Sequence, residues 1–316
     1  MTILLKEADV EKMVTMDTAI EVIEQAFKLQ GEYKVDNPPR RRCRLNSGML
    51  HVMSASLPTL GFAGLKSYTS VSGETRFHVM LYDADGVLVA AIEADKLGQM
   101  RTGAATGVAT KYMAREDAHL VGIFGTGWQA RAQVEAVCAV RNIRTVTAYS
   151  RDPENRRKFC EEMTERTGVQ VQPAETPEEA AKNMDIIITA TNSKEPVLKG
   201  EWLSEGTHIN AIGSNFLTKQ EIDVEAVRRS NCVIVDSHEQ AMLESGDLAK
   251  AAEEEAFYWD DARELGVVIV GEYPGREGPA EITLFESHGI ALEDVALAAK
   301  VFQLAEAEET GTTLVL

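Results

Sequence analysis

Three cationic positions stand where a folded chain has reason to avoid charge. Lys66, in Ala63-Gly-Leu-Lys-Ser67, sits among apolar neighbours on an expected strand. A lysine there is costly unless paired or used, and desolvation lowers its pKa towards the range of acid–base work. Arg101, in Gln99-Met-Arg-Thr-Gly103, lies in a small-residue helix that cannot cover it, so a partner anion is expected. Arg40-Arg41-Arg42-Cys43-Arg44 is conspicuous in a chain of formal net charge −18. On an extended strand Arg40, Arg42 and Arg44 share one face and Arg41 takes the other. Such a row can hold a substrate carboxylate; the alternative is an edge strand blunted by its charge.

A second constellation is Gly125-Thr-Gly-Trp-Gln-Ala130. It follows the apolar run Leu120, Val121, Ile123 and Phe124 and precedes a helical pattern over 131–140. Strand, glycine turn and helix with G-x-G-x-x-A at the joint point to dinucleotide binding. Gly125 permits the tight turn, Gly127 lets backbone approach a pyrophosphate, and Ala130 lets the helix pack closely. Thr126 and Gln129, inside the turn, are counted with the cofactor residues. The helix start offers unpaired N–H groups to the phosphates. In the NAD pattern an acid about 20 residues on bonds the ribose 2′-hydroxyl. Here Ser150 and Arg151 end the next strand, and both can bond a 2′-phosphate. NADP(H) is therefore the expected cofactor, with NAD(H) the alternative if Arg151 is only a solvated loop residue.

These residues need elements to carry them. At 316 residues the chain suits about two domains with a sizeable core. A strand at Ile3–Leu5 leads to a helix over Lys6–Val14. Thr15 or Asp17 then caps a helix to about Gln30, with Ala19, Ile20, Ile23, Ala26 and Phe27 at helical spacing. After Pro38-Pro39 come short strands at Arg42–Leu45, Met49–Ser54, Gly64–Thr69, Arg76–Tyr82 and Val87–Ile92. Asp83-Ala-Asp-Gly86 signals a hairpin between the last two. Lys96–Met113 reads as a tightly packed helix. From 118 onward strands alternate with helices: Leu120–Phe124, Thr145–Ser150, Val169–Val171, Asp185–Thr189, His208–Ile212 and Cys232–Val235. That rhythm implies a parallel sheet covered on both faces, with Val267–Val270 as an added edge. Leu292–Glu309 is a last amphipathic helix, and Thr312–Leu316 a strand rejoining the first domain.

Composition excludes several classes. The acidic balance argues against nucleic acid or an anionic membrane as partner. No run approaches the ~18 apolar residues of a membrane span. The N-terminal residues lack an export pattern, so a cytoplasmic protein is expected. The four cysteines lie far apart without C-x-x-C and read as reduced core thiols. None of the six histidines pairs at metal-ligand spacing, so no metal is expected.

Taken in order, several segments together resemble the ornithine cyclodeaminase/mu-crystallin family. They are Pro38-Pro39-Arg40, Gly64-Leu65-Lys66, Glu93-Ala-Asp-x-Leu-Gly-x-x-Arg101-Thr-Gly-Ala, the 125–130 turn, Asn210-Ala-Ile-Gly-Ser214 and Phe285-Glu-Ser-x-Gly289. The resemblance covers essentially the whole chain. It implies an α/β fold in which a Rossmann doubly wound parallel sheet (118–290) is inserted into a second, α+β substrate and dimerisation domain (1–117 with 291–316). It also implies a homodimer whose strands pair across subunits. Arg40, Arg101 and Lys66 take the positions of the family's carboxylate-binding and polarising residues. Thr191, Ile212, Gly213, Ser287 and Gly289 join the expected cofactor contacts.

The implied activity is an NAD(P)H-dependent reduction of an imine or ketimine, or interconversion of a 2-oxo acid and an amino acid. Hydride moves at the carbon next to a carboxylate. The alternatives are a cyclodeaminase-type lyase with catalytic NAD and a non-catalytic, mu-crystallin-like binder. One departure favours the reductase. Where cyclodeaminases and the alanine dehydrogenase carry a catalytic aspartate, this chain has Asn215, which cannot take a proton as a general base.

Overall fold

The computed structural model describes residues 2–71 and 74–315. In chain order the elements begin with β1 (Thr2–Leu5), α1 (Glu7–Met13), α2 (Met16–Gly31), β2 (Arg41–Leu45), β3 (Gly48–Leu57), β4 (Phe62–Val71), β5 (Glu74–Asp83), β6 (Leu88–Glu93) and α3 (Asp95–Met113). There follow β7 (Leu120–Phe124), α4 (Trp128–Val140), β8 (Thr145–Tyr149), α5 (Pro153–Thr167), β9 (Gln170–Pro173), β10 (Ile186–Thr189), β11 (His208–Ala211), α6 (Val224–Arg229) and β12 (Cys232–Val235). The chain closes with α7 (His238–Glu244), α8 (Gly246–Glu253), β13 (Arg263–Glu264), α9 (Leu265–Ile269), β14 (Thr283–Glu286), α10 (Ala291–Ala307) and β15 (Thr312–Leu314).

Two compact units result, Met1–Thr102 with Ile290–Leu316, and Gly103–Gly289. The seam falls inside α3 and not at 117/118. The second half of that helix is tied to the second unit, where Arg141 donates to the carbonyls of Thr110, Lys111 and Ala114, and Asn210 to Thr110 Oγ1.

The first unit holds a seven-stranded sheet in the order β15-β1-β6-β5-β4-β3-β2. Thr15 caps α2 by accepting from the Thr18 amide, and the apolar stripe of that helix is buried. At the 83–86 hairpin, Asp83 Oδ1 accepts from the amides of Asp85 and Val87. The register sets Lys66 in a row between Met53 on β3 and Val79 on β5, both buried. Helix α10 packs on β3 and β4 and against α2. The closing strand pairs antiparallel with β1; Leu316, which the sequence reading included in it, lies outside the described residues. Cys43 is exposed on the edge strand and not a core thiol.

The second unit is an eight-stranded sheet in the order β13-β12-β14-β11-β10-β7-β8-β9, with parallel pairing throughout. Ile186 and Ile188 of β10 pack with Val121, Val146 and Phe159, whereas Ile187 packs with Ile209, Val233 and Leu284. Apolar residues on both faces are what a sheet covered on both sides requires. Two readings are corrected. Val267–Val270 is not a strand: α9 spans Leu265–Ile269, and the edge is β13. A short apolar run does not distinguish strand from helix by period, and here Leu265 and Val268, three apart, share the buried side. The segment 283–286, of which the sequence reading marked only Phe285 and Glu286 as the start of a motif, is β14 and lies between β11 and β12.

Candidate active site

Strand β4 delivers Lys66 into a buried place, where Nζ donates to Asp294 Oδ1 at 2.8 Å. The same oxygen accepts from Arg101 Nε at 3.1 Å, and Glu293 Oε2 from Arg101 NH1 at 2.7 Å. The anions expected for Arg101 are thus the protein's own, from the first turn of α10. Burial lowers the Lys66 pKa most, and Arg101 and Arg40 add to this; Asp294 pulls the other way, and the balance is about 8. The Phe77 and Tyr68 rings lie 5.0 and 5.9 Å from Nζ. Arg40 is buried just before β2, its guanidinium 6.0 Å from the Tyr68 centroid. Arg42 points the same way and donates to His51 Nδ1 at 3.2 Å, while Arg41 and Arg44 are exposed. Burial and the nearby Arg42 and Arg40 hold the His51 pKa down to about 4, so the ring, stacked on Tyr68 at 4.1 Å, is neutral.

Glu293 and Asp294 are not singled out by sequence, because acids in a first turn read as ordinary compensation of the helix dipole. The usable signal is their setting: the remainder of Ala291–Phe302 is apolar apart from Lys300.

The remaining expected residues belong to the second unit. Gly125 has φ +102°, and a Cβ there would stand 2.3 Å from the Ala190 carbonyl oxygen. The turn therefore passes close to the end of β10, where the strand order reverses. Gly127 caps α4 without a side-chain bond, no acid lies in the first turn, and a Cβ on it would meet open space. Ala130 is buried under the helix. These features fit a pyrophosphate. Gln129 is half-buried, and its Oε1 has no hydrogen-bond partner among the described residues. Thr126 Oγ1 donates to Ser150 Oγ at 3.0 Å, and Arg151 is exposed. Asp152 caps α5 by accepting from the amides of Glu154 and Asn155. Arg156, which the sequence did not mark, donates to the Ser150 carbonyl at 2.9 Å and lies over the Tyr149 ring.

Two buried carboxylates hold the loops at the other strand ends. Glu221 Oε1 accepts from Thr191 N at 2.5 Å and Thr191 Oγ1 at 2.7 Å. Its Oε2 accepts from Thr189 Oγ1 at 2.9 Å and Gly213 N at 2.6 Å. Asp236 Oδ2 accepts from Ser287 Oγ at 2.9 Å and from the amides of His288 and Gly289, each at 2.7 Å. Ile212 N donates to the Thr189 carbonyl. His288 lies buried with ring nitrogens 3.5 Å from Asp236 and 3.3 Å from Glu286. Burial would lower its pKa, but the two carboxylates prevail and raise it to about 10. Asn215 Oδ1 accepts from Lys219 Nζ at 2.9 Å. Among the described residues no group of side chains forms a metal site, and no helix is long and apolar enough to cross a membrane.

A doubly wound parallel sheet with a G-x-G-x-x-A turn at its switch point, in one chain with a buried lysine–arginine–carboxylate cluster, is the arrangement of a dinucleotide-dependent class of protein. The chain belongs to the ornithine cyclodeaminase/mu-crystallin family, whose model matches residues 1–309. It is 36% identical to the alanine dehydrogenase of Archaeoglobus fulgidus over 323 aligned positions, 99% of this chain and 98% of that protein. The Thermococcus litoralis Delta(1)-pyrroline-2-carboxylate reductase, solved with NADH and L-proline, superposes with a TM-score of 0.95 and 36% identity over 99% of this chain and 100% of that one. An archaeal alanine dehydrogenase dimer with bound NAD gives a TM-score of 0.94 at 35% identity, covering 99% of each chain.

Proposed function

We propose that this protein is an NAD(P)H-dependent oxidoreductase that reduces an imine or ketimine at the carbon next to a carboxylate, or interconverts a 2-oxo acid and an amino acid. The observation that carries the proposal is the buried Lys66 ammonium beside Arg101, in a chain that also has the pyrophosphate turn. The relatives named as a pyrroline-2-carboxylate reductase and an alanine dehydrogenase work on substrates of this kind. The bound cofactor supplies the hydride. Lys66, poised at about 8, gives the substrate nitrogen its proton. Arg40 and Arg101 supply the positive charge that attracts and orients the carboxylate. The backbone of residues 125–127, with Thr126 and Gln129, holds the pyrophosphate, and the Thr191, Ile212–Gly213 and Ser287–Gly289 segments line the cofactor site.

NADP(H) is the preferred cofactor on this reading. Ser150, Arg151 and Arg156 gather at the end of β8; of the nearby carboxylates, Asp152 is occupied in capping α5 and the exposed Glu175 lies 3.5 Å from Arg156. The protein works as a homodimer in the cytoplasm. The sheet face opposite Lys66 carries Leu50, Val52, Leu65 and Met80, half-buried or exposed, alternating with Ser54, Ser67, Thr69, Arg76 and His78, a mixed face open to a second copy. The test is NADPH absorbance with a panel of cyclic ketimines and of 2-oxo acids with ammonia or amines. Steady oxidation supports the proposal. Ammonia release without net cofactor turnover would make the protein a lyase, and ligand binding with neither would make it a binder.

A further inference from the structure

The groups that fix Lys66 come from three elements far apart in the chain. Lys66 projects from the middle of β4, Arg101 from α3, and both converge on one oxygen of Asp294 at the start of α10, at 2.8 and 3.1 Å. Asp294 is fully buried. On the α3 side, a Cβ placed on Gly98 would lie 3.3 Å from Nζ, a tight contact, so the helix passes close to the ammonium here. The Phe77 and Tyr68 rings wall off the ammonium on other sides. The ionisable groups around it are Arg40 before β2, Asp95 and Arg101 on α3, and Asp294 on α10. Of the carboxylates among the described residues, only Asp294 is in direct contact with Nζ, at 2.8 Å. Glu293 is directed instead to Arg101. The first turn of α10 also favours negative charge through the helix dipole.

We infer that Asp294 is a positioning residue for the reduction: its shared oxygen fixes the Lys66 ammonium beside Arg101 and keeps it charged. Asp294 acts through Lys66 and does not itself touch substrate. The inference rests on the reading of Lys66 as the proton donor. Two neighbouring arginines oppose a charge on Lys66, and Asp294 is the group that favours it. Without that carboxylate a buried ammonium between cations gives up its proton more readily, and less of the donor is charged at neutral pH.

The test is Asp294→Asn in the full chain, which keeps shape and removes charge. For reduction, the alkaline limb of the kcat/KM profile should move down by at least about one pH unit, because the donor must be protonated. At neutral pH, kcat should fall by about twofold for a one-unit shift and by about tenfold for a two-unit shift. A readout independent of turnover is the titration of Lys66 in protein carrying 13C-labelled lysine, with the resonance assigned by its absence in Lys66→Met. It should move down by the same amount. A folded Asp294→Asn protein with an unchanged Lys66 titration and an unchanged alkaline limb would overturn the inference. If the asparagine variant does not fold, Asp294→Glu decides. A displaced carboxylate should lower kcat while largely keeping the alkaline limb, and an unchanged kcat would overturn the positioning role. Normal turnover by Lys66→Met would instead refute the proton-donor reading itself, so the two failures are distinguishable.

Discussion

Replacing Lys66 by methionine separates chemistry from folding. In the folded protein Lys66 falls from its ordinary 10.5 to about 8, chiefly through burial. That fall corresponds to about 3 kcal/mol held against the charged form. The folded pKa lies below the unfolded one, so the penalty is full below about pH 8 and fades as pH rises from about 8 to 10.5. Methionine removes the charge and keeps most of the side-chain length, so the penalty disappears. Asp294 loses one cation but keeps Arg101 Nε at 3.1 Å. The Asp294 partnership is already counted in that fall to about 8, so the net change is at most about 3 kcal/mol. Thermal unfolding of Lys66→Met should therefore shift by only a few degrees. Catalysis loses its donor outright: kcat should fall by roughly 2–4 orders of magnitude, the range for one acid–base group. NADPH affinity should hardly change, since the pyrophosphate turn belongs to the other unit. NADPH absorbance at saturating substrate, with parallel thermal melts and cofactor titration, measures all three. A folded variant with near-parental kcat would refute the reasoning and make Lys66 structural.

Further outcomes follow from other residues. NADPH should bind several-fold more tightly than NADH, and Ser150→Asp should reverse the order by repelling the 2′-phosphate; equal dissociation constants in the parent protein would exclude the proposed preference. With Asn215 paired to Lys219, the protein should release no ammonia from ornithine or lysine in the presence of NAD, whereas Asn215→Asp should raise deamination above the parent's; brisk release by the parent protein would favour the lyase. His288 is raised from 6.5 to about 10 in the folded state, so its contribution to stability is full below about pH 6.5 and is lost as pH rises through about 10. Denaturant unfolding should accordingly show His288→Gln losing less, relative to the parent, at high pH than at neutral pH, and a constant difference would show that the ring is not a buried cation.

Local chemistry made part of this protein legible from its sequence. The 125–130 turn, the Thr15 cap and the 83–86 hairpin each depend on residues within a few positions of one another, where backbone geometry and side-chain type decide the outcome. Lys66 and Arg101 could be marked for the same reason, since a charge among apolar or small neighbours must find compensation wherever the chain goes. The identity of that compensation was not legible. Asp294 lies 228 residues from Lys66 and 193 from Arg101, and its carboxylate looks like any first-turn acid until α10 is laid on β4. The same limit applies to β14, which enters the sheet between β11 and β12, and to Glu221 and Asp236, whose bonds reach loops at other strand ends. Sequence spacing determined which residues needed partners; tertiary packing decided which partners they received, because burial removes water as the alternative and leaves only the groups the fold brings within reach.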